Sequence, residues 1–175
     1  KRSKEKESVI NELAREVTKF LALLSRKSFT ATESNLITDM INAVNDMERV
    51  GDHAMNVLEL AEVKERDHLP FSNIGREDLL KMASVVKENF SRAIEAFTGY
   101  DKQIANLVIL EEEKIDKLEK ELRKNHIKRL NEGTCHPSSG VIFLDIINNL
   151  ERVGDHAFNL ASYVLNIDKN YKDLT

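Results

Sequence analysis

The chain has 175 residues, of which 41% are apolar and 32% are charged, with 6 glycines, 2 prolines and no tryptophan. Because helix breakers are scarce and good helix formers are plentiful, this composition predicts an all-α protein. The formal net charge of −4 argues against a general binder of nucleic acid or of anionic membranes, since such proteins carry a basic excess.

Apolar residues recur every three or four positions through the first half of the chain, which is the spacing of amphipathic helices. Thr30 and Glu33 form a capping-box pattern that opens one of these helices. Pro70 lies in a break between two of them, as a linker residue would. The pattern predicts three helices, at about residues 4–26, 30–64 and 76–97.

The second half of the chain continues the pattern with two further helices. Gly99 ends the third helix, and Asp101 can cap the fourth. The fourth and fifth helices are predicted at about residues 101–130 and 138–166, with a turn-rich break between them. No alternating strand pattern competes with them, and no apolar run approaches the roughly 20 residues that a membrane span needs. We therefore predict an elongated bundle of helices without a membrane span.

Cys135 is the single cysteine of the chain, which excludes an internal disulfide. A lone free thiol is typical of proteins in a reducing compartment, so we expect a cytoplasmic location. The helical pattern is already running by Val9, and we expect the sequence to be part of a longer chain.

The seven-residue phrase ERVGDHA occurs twice, at Glu48–Ala54 and at Glu151–Ala157. The helices that precede the two copies also correspond, because Ile10-Asn11-x-Leu13 aligns with Ile115-Asp116-x-Leu118. Duplication of one helical unit explains both observations. The third helix has no counterpart ahead of the first copy, so the first unit is predicted to lack its N-terminal helix. We place the two units at residues 1–68 and 74–175.

Each copy of the phrase puts a glutamate and an aspartate one helical turn apart, at the edge of the apolar face: Glu48 with Asp52, and Glu151 with Asp155. Burying carboxylates this close together costs on the order of several kcal/mol of desolvation free energy per ion, unless a cation compensates the charge. The glycine between the two acids costs about 0.5–1 kcal/mol inside a helix, which indicates that another backbone packs closely there.

The helices before the two copies carry a second set of polar residues at the same four-residue spacing. In the second unit these are Glu112 and Asp116, and in the first unit they are Glu7 and Asn11. Facing carboxylate pairs on neighbouring helices can hold a cation between them, and all-oxygen sites suit hard cations, iron or manganese. Because Asn11 replaces an aspartate, the first site is one charge poorer.

Two explanations of the acidic pairs stay open. The cation is either a bound metal or a side chain, such as Arg49, Arg152 or a nearby lysine, in an interhelical salt-bridge network. His53 and His156 point away from the apolar face, so we expect them to be solvated or to cap a helix. Asn56 and Asn159 follow each aspartate by one turn, where they could donate hydrogen bonds to a metal-bound carboxylate, as Asn11 could in the first unit.

The doubled ERVGDHAxN phrase and the paired E/D-x-x-x-D motifs resemble those of the PhoU family, regulators of bacterial phosphate uptake. This resemblance covers almost the whole chain. It implies two three-helix bundles side by side and metal clusters, commonly of iron or zinc, held by these motifs. The ligands carried over to this sequence are Glu112, Asp116, Glu151 and Asp155 in the second unit and Glu7, Glu48 and Asp52 in the first.

The phrase LPFSNIGREDL and the start of the sequence resemble more closely the cytosolic PhoU-like domain of sodium/phosphate cotransporter family proteins. This resemblance implies a regulatory domain at the cytoplasmic face of the membrane. Its expected partners are a membrane phosphate transporter, either in the same chain or separate, or phosphate-signalling proteins, and a homodimer stays open. A stand-alone phosphate-uptake regulator and a metal-free helical adaptor are the alternatives.

An enzymatic function is the remote alternative. Four-helix carboxylate oxidases also place acids on facing helices, but they use Glu-x-x-His at i, i+3. Here the histidine comes five residues after Glu48 and directly after Asp52. We therefore predict that the protein is not an enzyme.

Overall fold

The computed structural model describes residues 2–25 and 29–171. Five helices account for nearly all of them, and this part of the chain contains no strand. The prediction of an all-α helical bundle is confirmed. The helices are α1 (Arg2–Leu24), α2 (Ala31–Arg66), α3 (Asn73–Gly99), α4 (Lys102–Asn131) and α5 (Pro137–Tyr171).

The helix starts follow from local capping chemistry. At α2 the backbone N–H of Glu33 donates to the Thr30 hydroxyl at 3.2 Å, and the Glu33 carboxylate accepts from the Thr30 N–H at 2.8 Å, as the sequence predicts. Asp101 accepts from the first free N–H groups of α4. Helix α3 begins three residues earlier than predicted, because Ser72 caps it by accepting from the Gly75 N–H at 3.1 Å.

The bundle consists of a helix pair, α1 and α2, packed against a three-helix group, α3, α4 and α5. Helices α3, α4 and α5 pack on one another, α2 packs on α5, and α1 packs on α2. One apolar cluster is shared by four helices, since Ala43 of α2 lies among buried residues of α3, α4 and α5 such as Ala93, Val108 and Leu160. A second cluster, around Phe143, lies within the three-helix group. The helix pair and the three-helix group therefore share one hydrophobic core.

Helix α1 is covered on one side only. It leaves large apolar side chains open to solvent, with Leu13 59% and Phe20 64% exposed. An apolar groove of about 490 Å³ runs along it, lined by Leu13 and Val17 of α1, Val50 of α2 and Phe90 of α3, among others. In the described residues no helix is long and apolar enough to cross a membrane.

Candidate metal site

A close approach of two helices positions the acidic residues of the second unit. Gly154 of α5 is buried, and a Cβ atom added there would lie 3.2 Å from Cγ2 of Ile115 on α4. This separation is shorter than an ordinary van der Waals contact, so only glycine lets α5 come so near to α4 without displacement. The sequence predicted a close contact with another backbone at this glycine, and the neighbour is instead the side chain of Ile115. The contact brings the flanking carboxylates of the two helices together.

Glu112 and Asp116 of α4 meet Asp155 of α5 in one half-buried group. One carboxylate oxygen from each residue lies within 4.8 Å of the other two. Oxygen ligands bind small divalent cations at about 2.0–2.6 Å, so oxygens around one ion lie up to roughly twice that distance apart. The three oxygens therefore have a separation that a single cation can bridge with little rearrangement.

The pKa values of two glutamates in and beside this group are raised. Burial raises the pKa of Glu112, and the neighbouring carboxylates of Asp116 and Asp155 raise it further. Burial and the Asp155 charge also raise the pKa of Glu151, which lies one turn before Asp155 on α5. Both glutamates thus hold their protons more tightly than an exposed glutamate does, which is the expected response of carboxylates that lack a sufficient counter-charge.

Two cationic side chains compensate part of this charge. Lys120 Nζ lies 3.2 Å from an oxygen of Asp116, and Arg152 Nη1 lies 3.3 Å from an oxygen of Asp155. Arg152 also lies 3.8 Å from Glu151, which is not one of the three clustered acids. Both cations are more than half exposed, and pairs of this kind contribute only about 0–1 kcal/mol. Each of these pairs lies within one helix, so they are not the interhelical salt-bridge network that was the alternative to a metal, and the pKa values of the two glutamates stay raised beside them.

The first unit does not assemble an equivalent group. Glu7, Glu48 and Asp52 share no three-oxygen cluster in the described part of the chain. Asn11 donates from Nδ2 to Glu7 Oε1 at 2.7 Å, so the amide satisfies the glutamate that a metal would otherwise bind. The contact at the repeat glycine is also looser than in the second unit, since a Cβ added at Gly51 would meet the Ile10 side chain at 3.6 Å.

The repeated histidines and asparagines have a role that the sequence analysis missed. His156 Nδ1 lies 2.7 Å from Asp46 Oδ1, and Asn159 Nδ2 donates to the same oxygen at 3.1 Å. Tyr163 donates its hydroxyl to the other oxygen of Asp46 at 2.9 Å. The prediction of a solvated or capping His156 is therefore wrong, and the amide of Asn159 has a partner other than the acids of its own motif. These residues join α5 to α2.

The first copy of the phrase makes the reciprocal contacts. His53 Nδ1 lies 2.9 Å from Asn149 Oδ1, and Asn56 Nδ2 donates to that oxygen at 3.1 Å. The two imidazoles stack with their centroids 5.5 Å apart. His53 is thus not simply solvated either, and Asn56 does not serve the Glu48 pair. Asn149 occupies the position that Asp46 has in the first copy, and this correspondence in the sequence could have indicated the pairing.

Burial alone would raise the pKa of Asp46. The hydrogen bonds from His156, Asn159 and Tyr163 outweigh that effect, and the pKa of Asp46 lies below its ordinary value. Burial and the bond to Asp46 raise the pKa of Tyr163 in turn. The junction between α2 and α5 is therefore built around a carboxylate that stays ionised.

Comparison with known proteins agrees with the sequence motifs. The family model described as PhoU domain matches residues 1–61 and 79–164. The "Phosphate-specific transport system accessory protein PhoU homolog 1" of Thermotoga maritima is 28% identical over 172 residues, which cover 97% of this chain and 73% of that protein. The "Phosphate-specific transport system accessory protein PhoU homolog" of Pseudomonas aeruginosa is 27% identical over 158 residues, which cover 89% of this chain and 64% of that protein.

Solved structures show the same fold. The crystal structure of PhoU from Pseudomonas aeruginosa superposes with a TM-score of 0.88 at 25% identity, over 96% of this chain and 80% of that one. The phosphate transport system regulatory protein PhoU from Streptococcus pneumoniae superposes with a TM-score of 0.80 at 21% identity, over 94% of this chain and 76% of that one, which supports the fold alone. The similarity therefore extends over nearly the whole of this chain.

Proposed function

The chain belongs to the PhoU family, and from this premise we propose that it is a non-enzymatic accessory protein of phosphate transport that binds a divalent cation between α4 and α5. The observation that carries the metal-binding part is the convergence of Glu112, Asp116 and Asp155 from two helices. Family relatives are described as accessory and regulatory proteins, which agrees with the prediction that the chain is not an enzyme.

The relatives favour one partner arrangement over another. They are described as accessory proteins of a phosphate-specific transport system. This favours the stand-alone regulator, which the sequence analysis kept as an alternative, over the domain of a sodium/phosphate cotransporter. We propose that the partner is a separate phosphate transporter or phosphate-signalling protein at the cytoplasmic face of the membrane.

A local charge balance supports one divalent ion at this site. Four carboxylates, those of the clustered acids and of Glu151, face two cations, Lys120 and Arg152, which leaves two net negative charges when all are ionised. A single divalent cation cancels that excess and offsets the carboxylate repulsion that adds to the effect of burial in raising the pKa values of Glu112 and Glu151. The clustered ligands are all carboxylates, a donor set that suits iron, manganese or magnesium better than zinc.

Metal analysis of protein purified without chelator tests the proposal. We expect near-stoichiometric metal in the unsubstituted protein and a clear loss in Asp155→Asn. Asp145→Asn is the matched control, because Asp145 is an exposed acid of the same helix and should leave the metal content unchanged. Equal metal content in all three proteins would contradict these ligands. Absence of metal from all three, together with no uptake of added Fe²⁺ or Mn²⁺, would favour the metal-free helical adaptor.

The site in the first unit stays a weaker proposal. Glu7, Glu48 and Asp52 were expected to bind a second metal, and they remain candidates only if Asn11 releases Glu7. Replacing Asn11 with aspartate restores the charge that the second unit has at Asp116. A gain of bound metal in Asn11→Asp would show that the first unit is limited by that one charge.

A further inference from the structure

One end of the three-helix group gathers buried polar atoms that have no partner in the protein. Eight side-chain nitrogen and oxygen atoms of the described residues are fully buried without a hydrogen bond, and five of them belong to His126, Arg129 and Ser139. A sixth, Asp78 Oδ2, lies 3.0 Å from Arg129 Nη1 in an ion pair. These residues lie near the start of α3, the end of α4 and the start of α5. Because buried polar groups in folded proteins are nearly always satisfied, this concentration indicates a bound molecule that is not protein.

His126 is fixed in place by its neighbours. Its side chain is 2% exposed, and neither ring nitrogen has a hydrogen bond to the protein. The ring stacks on Phe143, with centroids 4.5 Å apart and planes 17° from parallel. A Cβ atom added at Gly140 would lie only 2.7 Å from His126 Nε2, so the ring also presses against the first turn of α5. The imidazole therefore cannot turn outward to reach bulk solvent.

A small chamber lies beside this ring. Its volume is about 10 Å³, and its polar lining comes from His126, Ser139, Cys135 and Ser72. The Ser139 hydroxyl is buried and without a protein partner, whereas Ser72 already accepts from the Gly75 N–H. A volume of roughly 10–15 Å³ accommodates one water molecule, and phosphate or any organic molecule is too large.

We propose that this chamber is a binding site for one water molecule, hydrogen-bonded by His126 and Ser139. A buried water needs two to four polar partners, and these two side chains from α4 and α5 supply the minimum. The water links the end of α4 to the start of α5, next to the cap of α3.

The charges around His126 favour water over a cation. Arg129 of α4 lies over the Phe143 ring, with 5.6 Å between its Cζ and the ring centroid, and pairs with Asp78 of α3 at 3.0 Å. Burial lowers the pKa of His126 and the Arg129 charge lowers it further, against a smaller opposing effect of Asp78. A neutral imidazole has one nitrogen that donates and one that accepts, so it can bind water from either tautomer.

A crystal structure at a resolution that locates ordered water tests the proposal directly. We expect one fully occupied peak at hydrogen-bond distance, about 2.7–3.2 Å, from a ring nitrogen of His126 and from Ser139 Oγ. An empty chamber would overturn the proposal, and so would a peak with the anomalous signal of a metal or halide.

The sign of the stability change in Ser139→Ala gives an independent test. If the chamber is dry, Ser139→Ala removes an unsatisfied hydroxyl and stabilises the protein or leaves it unchanged. If water is bound, the same substitution removes a hydrogen bond and leaves the water short of a partner, so the equilibrium constant for unfolding should rise about five-fold. Ser138→Ala is the control, because Ser138 is exposed in the same helical turn. A Ser139→Ala protein at least as stable as Ser138→Ala would contradict the proposal.

Discussion

His156 Nδ1 lies 2.7 Å from a carboxylate oxygen of Asp46, and this contact ties α5 to α2. In the same way, His53 Nδ1 of α2 lies 2.9 Å from Asn149 Oδ1 of α5. The histidine of each copy therefore contacts the helix that carries the other copy. One junction thus contains a carboxylate and the other an amide. In the second copy the histidine of the phrase contacts α2, and the aspartate directly before it belongs to the candidate metal site.

Replacing Asp46 with asparagine should destabilise the protein. Asp46 is buried and accepts hydrogen bonds at both oxygens, and bonds to a charged group contribute about 1.5–3 kcal/mol. We expect the free energy of unfolding to fall by about 2 kcal/mol in urea denaturation at pH 7. Glu59→Gln, an exposed acid of the same helix, is the control and should change it by less than about 0.5 kcal/mol. Equal effects would contradict a structural role for Asp46.

Alanine should have opposite effects at the two repeat glycines. At Gly154 the added Cβ meets Ile115 at 3.2 Å in a buried contact, so overpacking should cost about 1–3 kcal/mol and weaken metal binding. At Gly51 the added atom meets Ile10 at 3.6 Å, an ordinary contact, so the higher helix propensity of alanine should stabilise the protein by about 0.5–1 kcal/mol. Chemical denaturation of the two variants measures both values. Effects of the same sign would show that the two helix pairs are packed alike.

The effect of Glu112→Gln should depend on metal. Without metal, glutamine relieves the repulsion that raises the pKa of Glu112, so the melting temperature at pH 7.5 should rise slightly. With excess Mn²⁺ or Fe²⁺ the variant should gain little, whereas the unsubstituted protein should gain several degrees. Glu121→Gln, at an exposed acid of the same helix, should behave as the unsubstituted protein. A metal response retained in full by Glu112→Gln would exclude this residue as a ligand.

The stability of the protein should fall below neutral pH because of His126. Its pKa in the folded state is lowered from 6.5, so the unfolded chain binds a proton first as the pH falls. Stability is then lost as the pH falls below about 6.5, with a slope of at most about 1.4 kcal/mol per pH unit until the folded pKa is reached.

The raised pKa values of Glu112 and Glu151 act in the opposite sense, since protonation as the pH falls removes a buried charge and relieves the repulsion from neighbouring carboxylates. The difference between the unsubstituted protein and His126→Gln isolates the histidine. We expect urea denaturation at pH 7.5 and 5.5 to show a smaller loss of stability in the variant. Parallel pH profiles of the two proteins would contradict a buried neutral histidine.

Much of the fold could be predicted because it depends on local chemistry. The capping box at Thr30 and the cap at Asp101 depend on residues a few positions away, and both were found where the sequence placed them. Helical spacing also places the two acids of each pair on one face of their own helix, α4 or α5, although it does not show that the two faces meet. The start of α3 was missed because the sequence analysis did not consider Ser72 as a cap.

The contacts that could not be predicted involve partners far apart in the sequence. Helical spacing gives the direction in which the His156 side chain leaves the axis of α5. It does not show which helix lies in that direction, or that this helix presents Asp46. The first-unit acids stay a prediction for a related reason. Glu48 and Asp52 have the right spacing, yet the looser contact at Gly51 and the hydrogen bond between Asn11 and Glu7 are properties of the packing.

Asp155 and His156 are consecutive on α5, and they face different neighbours: the carboxylate belongs to the group shared with α4, and the imidazole holds Asp46 of α2. If a cation binds there as proposed, its effect on α5 would also reach the α2 contact, because Asp155 and His156 are consecutive in one helix. By thermodynamic reciprocity, an ion that shifted the equilibrium at the α2 junction by some factor would have its own affinity changed by the same factor when that junction changes.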